Sequence, residues 1–329
     1  MATHTTSVRV LAGDIGGTKT LLGLFEPAPR RPQLIAERRY DTDAASSLDA
    51  IVEDFVRTDG GGRPVAAAAF GVAGPVVAQV AQLTNHPWVV DANRSSRILN
   101  APVQLLNDVE ALAYALDALA DDDLLTLQAG QPRPDAAMAV IAAGTGLGQA
   151  QLVRVGGRPL ACPSEGGHAD FAPRTPREDE LVRMLRQRYG RATVEHVLSG
   201  PGLVHLHELT HKEEPCLAAR EDLDLPATVS AAGMERRCER CHEALSLFVS
   251  AYGSEAGNLA LRTMAAGGVF IGGGIAPRVL PALQWPGFLD AFRAKPPMSS
   301  LLADVPVHVI VTPSAGLLGA AVVAQRHLR

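Results

Sequence analysis

One pattern occurs twice in this chain, and the recurrence constrains the fold more than any other feature. Val8, Val10 and Ala12 alternate with opposite-face positions up to Gly13-Asp14-Ile15-Gly16-Gly17-Thr18-Lys19-Thr20, and Leu22 and Leu24 carry the alternation onward. That is a β-hairpin closed by a glycine turn. Later, Ala136 to Ala142 forms an apolar strand that enters Gly144-Thr145-Gly146-Leu147-Gly148, and Gln149 to Val155 reads as its returning strand. Gly13 and Lys19-Thr20 have the spacing of a P-loop, but Thr18 stands where the second glycine belongs and a strand follows instead of a helix. A phosphate cradle of that type needs a helix N-terminus, so the P-loop reading fails. What remains is a tight turn whose N–H groups can approach a phosphate closely, with Asp14 on the preceding strand placed to hold a hydrated Mg²⁺. Two such units suggest two half-clamps gripping one polyphosphate from opposite sides of a cleft.

A second constraint lies at Leu105-Leu106-Asn107-Asp108-Val109-Glu110-Ala111-Leu112. Pro102 to Leu106 reads as a strand buried on both faces, and Val109, Leu112, Leu116 and Leu119 put one apolar stripe on a helix running to the Asp121-Asp122-Asp123 break. A carboxylate where a strand meets a helix points out of the sheet's carboxyl edge, where open α/β sheets bind ligands. Asn107 or Asp108 can equally serve as a helix cap.

Other strands are expected at Leu34 to Tyr40, Val65 to Val72, Val269 to Ile271 and Val307 to Val311, and helices at Ser47 to Val56, Arg177 to Tyr189, about Gly233 to Met264, and after Ser314 as cap to about Gln325. Leu83-Thr84-Asn85-His86-Pro87-Trp88 is a loop rich in hydrogen-bonding groups, suited to orienting a small polar ligand. Ser164-Glu165-Gly166-Gly167-His168 sets an acid and an imidazole around two glycines, so both can aim at one small polyol. Glu195 to Gly202 gives a short turn, a glycine stop and a proline-started helix. Gly272-Gly273-Gly274 ends a strand and exposes backbone where an adenine or ribose could lie close.

At 329 residues and 47% hydrophobic, the chain can bury two α/β domains or one large unit. Its net charge of −5, with no run of Lys or Arg, argues against nucleic acid or an anionic membrane as partner. The absence of a leader-like segment at Met1 to Arg9 and the four cysteines without a disulfide framework fit a cytoplasmic protein. Cys238-Glu239-Arg240-Cys241, followed by His242, has the spacing of half a zinc site. Cys162 and Cys216 are isolated in sequence and the pair falls inside a helix-like stretch, so the expectation is helix residues that happen to be cysteine.

Taken in order, these motifs, with Ser314-Ala315-Gly316-Leu317, resemble the bacterial glucokinases of the hexokinase, actin and Hsp70 ATPase superfamily. Two positions depart from that pattern: Lys19 stands where Asn is more usual, as in the related ROK kinases and repressors, and Ala143 where a proline is. No cysteine-rich loop follows His168 and no helix-turn-helix fits before Val8, which weakens a ROK assignment to a kinase of another hexose or amino sugar. The resemblance implies a two-domain actin-like ATPase, or ribonuclease H-like, α/β fold with a ligand cleft between the domains. The small domain would take residues 1–120 with 312–329 and the large domain residues 121–311. It implies ATP-dependent phosphorylation of D-glucose at O6, with Asn107, Asp108, Glu165, His168 and Glu195 as sugar ligands and Asp108 as base. ATP with Mg²⁺ would lie on Gly13 to Thr18, Gly144, Thr145, Gly146, Gly148 and Gly273. A homodimer is also implied, and a non-catalytic sugar sensor is the remaining alternative.

Overall fold

The computed structural model describes residues 8–84, 86–212, 214, 216 and 224–328. Two compact units emerge. One takes in the chain up to Ala120, residues Pro159–Pro163 and everything from Thr312, and the other Asp121–Arg158 and Ser164–Val311.

In the first unit, β1 (Val10–Ile15), β2 (Lys19–Glu26), β3 (Gln33–Asp41), β4 (Ala67–Val72) and β8 (Val103–Asn107) form one sheet, and a small ribbon holds β5 (Val76–Val77), β6 (Val80–Gln82) and β7 (Val89–Asp91). The five-stranded order is β3-β2-β1-β4-β8. β1 and β2 are the antiparallel hairpin, closed by the Gly16 N–H on the Lys19 carbonyl at 2.9 Å, while β4 and β8 run parallel to β1. Every residue of β4 is buried, as a central parallel strand covered on both faces requires. Helix α1 (Leu48–Thr58) starts at Ser47, whose hydroxyl accepts from the Ala50 N–H, and turns Ile51, Val52 and Phe55 inward onto Leu11, Leu22 and Phe70. Helix α2 spans Ala92–Leu99 and α3 spans Asp108–Ala115. The last helix, Ala315–Ala324, is almost wholly buried in this unit. It lies directly on α3 because Gly319 has no Cβ to meet the Ala111 carbonyl oxygen.

The second unit repeats the plan. Its strands are β9 (Leu124–Gln128), β10 (Met138–Ala143), β11 (Leu147–Val155), β13 (Gly268–Gly272) and β14 (Val307–Ile310), with β12 (Arg158–Ser164) passing through residues counted in the first unit. β10 and β11 are an antiparallel hairpin, β13 runs parallel to β10, and β14 parallel to β13. The series β11-β10-β13-β14 therefore matches β2-β1-β4-β8 in order and direction. Helices α4 (Pro176–Tyr189), α5 (Gly200–His211), α6 (Leu225–Met234) and α7 (Glu239–Thr263) enclose a core in which Phe248, Tyr252, Phe288 and Phe292 are fully buried.

The α3 stripe stops earlier than expected, at Ala115 with Leu116 as cap, and Asp121–Asp123 form a separate turn of 3₁₀ helix. The helix expected from about Gly233 to Met264 begins later: Gly233 and Met234 close α6, and α7 starts at Glu239. Arg236 adopts a left-handed φ of 52° and Cys238 takes extended backbone at the start of α7. The apolar periodicity runs through this break because both helices pack on one core, so spacing alone does not reveal it. Ser314 precedes the last helix without a side-chain capping bond. The strand β9 and the helices α2, α6, Leu280–Leu283, Pro286–Arg293 and Ser299–Asp304 lie outside the elements expected from the sequence.

Candidate active site

In the first unit the chemistry gathers at the carboxyl ends of three parallel strands. Asp14 of β1 pairs in register with Gly71 of β4, and Gly71 with Leu106 of β8, one residue before Asn107. Gly71 leaves room there, since a Cβ on it would lie 2.9 Å from the Ala111 Cβ in α3. Asn107 is the N-cap of α3. Its Oδ1 accepts from the N–H groups of Val109 and Glu110 at 3.0 and 3.3 Å, and the Glu110 carboxylate answers on the Asn107 N–H at 3.3 Å. This capping box occupies the Asn107 carbonyl, while its amide donates to the Gly74 carbonyl at 3.2 Å.

The capping reading thus belongs to Asn107 and leaves Asp108 on the first turn of the helix. One Asp108 oxygen accepts from the Val109 N–H at 2.9 Å. Burial, followed by repulsion from Asp14, pushes its carboxyl up to about 6, against the lowering effect of the backbone and Asn107 hydrogen bonds. Burial also raises the Asp14 carboxyl, with the Lys19 charge partly opposing it. Asp14 faces the start of the last helix, where a Cβ on Gly316 would lie 3.3 Å from its Oδ2. Desolvated carboxylates, here Asp14 with Asp108 close enough to feel its charge, are hard oxygen donors of the kind that hold hydrated Mg²⁺.

The turn Gly16-Gly17-Thr18 is braced from behind. The Thr42 hydroxyl donates to the Gly16 carbonyl at 3.0 Å and the Thr42 N–H to the Thr18 carbonyl at 3.2 Å. A Cβ on Gly17 would lie 3.3 Å from the Thr84 carbonyl, which brings the loop of residues 83–88 against the turn. In that loop His86 meets the Trp88 ring edge to face, and Trp88 packs on the core; Asn85 is outside the described residues. Gly13 and Ile15 serve the strand itself: Ile15 is buried, and a Cβ on Gly13 would lie 2.7 Å from the Phe70 ring.

The second unit brings Gly144, Thr145 and Gly146, Gly273, Glu165, His168 and Glu195 into one neighbourhood. The Gly144 N–H closes its turn on the Gly146 carbonyl at 2.8 Å, and the Gly144 carbonyl accepts from Gly200 N–H, the first residue of α5, at 2.9 Å. On the adjacent parallel strand, Ala142 pairs with Gly272 and the Ile275 N–H reaches the Ala143 carbonyl at 3.1 Å. Gly273 has a φ of 84°, a conformation that suits glycine, and a Cβ there would strike the Ala143 backbone. Gly148 is paired within the hairpin, opposite Ala142, and lies back from the turn.

Glu195 links this turn to the Glu165–His168 segment. Its Oε2 accepts from the Leu147 N–H at 2.8 Å, its Oε1 lies 3.9 Å from His168 Nδ1, and its own N–H donates to the Gly167 carbonyl at 2.8 Å. Glu165 Oε2 is 3.7 Å from His168 Nε2, and both side chains are mostly exposed. Sequence reasoning passed over two positioning residues here. Ser199 caps α5 through the Gly202 N–H at 3.0 Å and donates to the Glu195 carbonyl at 2.7 Å, and the Tyr252 hydroxyl, buried in α7, accepts from the Ala143 N–H at 3.3 Å. Ser199 carried a local capping signal, whereas Tyr252 looked only like a core position.

Two glycine-turn hairpins, each leading a matching set of parallel strands whose carboxyl edge carries the polar residues, define a phosphoryl-transfer protein of the actin-like ATPase type. The glucokinase family model matches residues 11–327, and the chain belongs to that family. The glucokinase of Nostoc sp. is 40% identical over 339 aligned residues, covering 96% of this chain and 99% of its own. The crystal structure of a glucokinase from an Antarctic psychrotroph superposes with a TM-score of 0.86 at 31% identity, covering 97% and 99% of the two chains. The glucokinase of Balamuthia mandrillaris, solved in complex with glucose, gives 0.76 at 21% identity over 98% and 95%, a likeness of fold. Among the described residues no helix is long and apolar enough to cross a membrane.

Proposed function

We propose that this chain transfers the γ-phosphoryl group of ATP to O6 of D-glucose. The observation that carries the reading is Asp108. It is a half-buried, strongly desolvated carboxylate at the carboxyl edge of a parallel sheet, its carboxyl raised to about 6 and one oxygen anchored by the Val109 N–H. Such a group can take the 6-hydroxyl proton as that oxygen attacks phosphorus, because a base works best when its pKa lies near the working pH. Membership of the glucokinase family supports glucose as acceptor and ATP as donor.

In this reading Asn107, Asp108, Glu165, His168 and Glu195 are the sugar ligands. The backbone N–H groups of Gly16 to Thr18 and of Gly144 to Gly146 take the phosphates. Asp14 would hold hydrated Mg²⁺, which when bound neutralises charge on the phosphate oxygens. The two compact units serve as small and large domains, and family likeness supports a homodimer at work in the cytoplasm; light scattering on the eluting protein tests the dimer. The decisive assay couples glucose 6-phosphate formation to NADP⁺ reduction with ATP, Mg²⁺ and a panel of hexoses. Turnover with glucose is expected, and a chain that binds glucose but forms no sugar phosphate would reduce the reading to a sensor.

A further inference from the structure

A cluster that phosphoryl transfer does not use lies in the second unit, at the opposite end of α5 from Ser199. His207 and His211 stand one turn apart on α5, with ring centroids 3.8 Å apart. Cys216 follows the helix, and Cys238 and Cys241 open α7. The ligand atoms of His207, His211, Cys216 and Cys241 all lie within 4.8 Å of one another. Cys216 Sγ is 3.5 Å from Cys241 Sγ, and His211 Nε2 is 3.9 Å from Cys241 Sγ and 3.4 Å from Cys238 Sγ. Bonds of about 2.3 Å to sulfur and 2.0 Å to nitrogen place the ligands of a tetrahedral ion roughly 3.3–3.8 Å apart. The cluster already has close to that spacing.

Two further observations separate it from thiols that merely fill a core. His211 Nδ1 lies 3.0 Å from the His207 carbonyl oxygen, which holds the N–H on that nitrogen and leaves the Nε2 lone pair toward the sulfurs. A backbone carbonyl on the far nitrogen is the usual support of a metal-binding imidazole. Among the described residues the buried His207 Nε2 has no hydrogen-bond partner, a condition that native interiors rarely tolerate. The surroundings are also dry: Cys241 is part of the core, and Cys216 and Cys238 pack against it.

We propose that His207, His211, Cys216 and Cys241 bind one zinc-type divalent cation, flanked by Cys238. Thiolate and imidazole donors select Zn²⁺ over Mg²⁺, and four protein ligands leave no open position, so the site is structural rather than catalytic. Binding releases the thiol protons of Cys216 and Cys241 to solvent and forms two metal–sulfur bonds. The ion ties the end of α5 and Cys216 to the first turn of α7. Neither CxxC nor HxxxH suffices alone; the pairing arises because α5 and α7 pack together.

The test uses the full-length chain purified without chelators. Metal analysis is expected to find about one zinc per chain. Titration of the metal-free protein with Co²⁺ is expected to produce sulfur-to-cobalt charge-transfer absorption and a higher Tm. The Cys216→Ser/Cys241→Ser chain should lose both signals, and Cys162→Ser should keep them. Metal-free chain that shows no charge-transfer band with Co²⁺, or chain isolated with a Cys216–Cys241 disulfide and no zinc, overturns the proposal. So does a Cys216→Ser/Cys241→Ser chain that retains a full equivalent of zinc. Because wild-type protein carries the cobalt measurement, a variant that fails to fold leaves the result readable.

Discussion

Asp108 meets two opposed demands, and both can be measured. As the base it acts only when ionised, so kcat/KM for glucose should fall about tenfold per pH unit below roughly pH 6 and level off above it. Asp108→Ala should lower kcat by about 10²–10⁴ while circular dichroism stays unchanged; near-normal turnover would demote the residue to a helix-end carboxylate. Stability runs the other way. A carboxyl raised from 3.8 to about 6 by burial and by Asp14 favours the folded state in its protonated form. That contribution is complete below about pH 4 and is lost as pH rises through about 6. Keeping the anion buried at pH 8 therefore costs up to roughly 3 kcal/mol, at about 1.4 kcal/mol per pKa unit. Asp108→Asn, which retains an oxygen for the Val109 N–H, should be more stable than the parent at pH 8 and indistinguishable from it at pH 4. Denaturant midpoints at the two pH values decide the matter, and equal differences at both would mean that the carboxyl is not perturbed.

Among the elements, the β8–α3 junction has a capping residue at a position also proposed to bind sugar, and substitution can separate the two roles. Asn107 uses its carbonyl oxygen on two helix N–H groups, so Asn107→Ala should cost about 1 kcal/mol through the lost cap. Asn107→Ser keeps a capping oxygen and removes the amide. If Asn107 also touches sugar, the serine variant should melt like the parent yet show a raised KM for glucose; unchanged kinetics would confine Asn107 to its capping role. The β10–β11 turn offers a parallel case. A Cβ on Gly146 would come within 2.6 Å of Glu195 Oε2, so Gly146→Ala must push that carboxylate off the Leu147 N–H. Kinetic constants for both ATP and glucose are expected to worsen in this one variant, since Glu195 joins the turn to the His168 segment. An alanine variant with parental constants would separate the two.

At the scale of the whole molecule the prediction concerns choice of substrate. Acceptors and donors set for particular hydroxyls leave buried groups unpaired with an epimer, at about 1–3 kcal/mol each. Glucose should be preferred over mannose, galactose and N-acetylglucosamine by roughly tenfold or more in kcat/KM, and ATP hydrolysis without sugar should stay far below phosphorylation. Equal or better use of N-acetylglucosamine would move the chain to the amino-sugar kinases. Most strands, both glycine-turn hairpins, α4 with its Gly190 stop and the strand-to-helix step at Asn107–Asp108 were legible from residue order. Each depends on neighbours within a few positions: alternation for a strand, a glycine for a turn, a polar cap for a helix. The repeated hairpin was legible as such, while the two-domain fold came from the family resemblance. Tertiary structure alone decided that Asn107 caps while Asp108 is raised by burial and then by Asp14, since β1 and β8 are neighbours of the same strand, β4. It alone set the start of α7 at Glu239, after the break that follows Met234, and it alone brought His207, His211 and Cys216 to Cys241. Proton affinity and metal affinity depend on the charge, burial and donors within a few ångströms of an atom. Packing sets those distances, and here it joins residues that sequence spacing leaves apart.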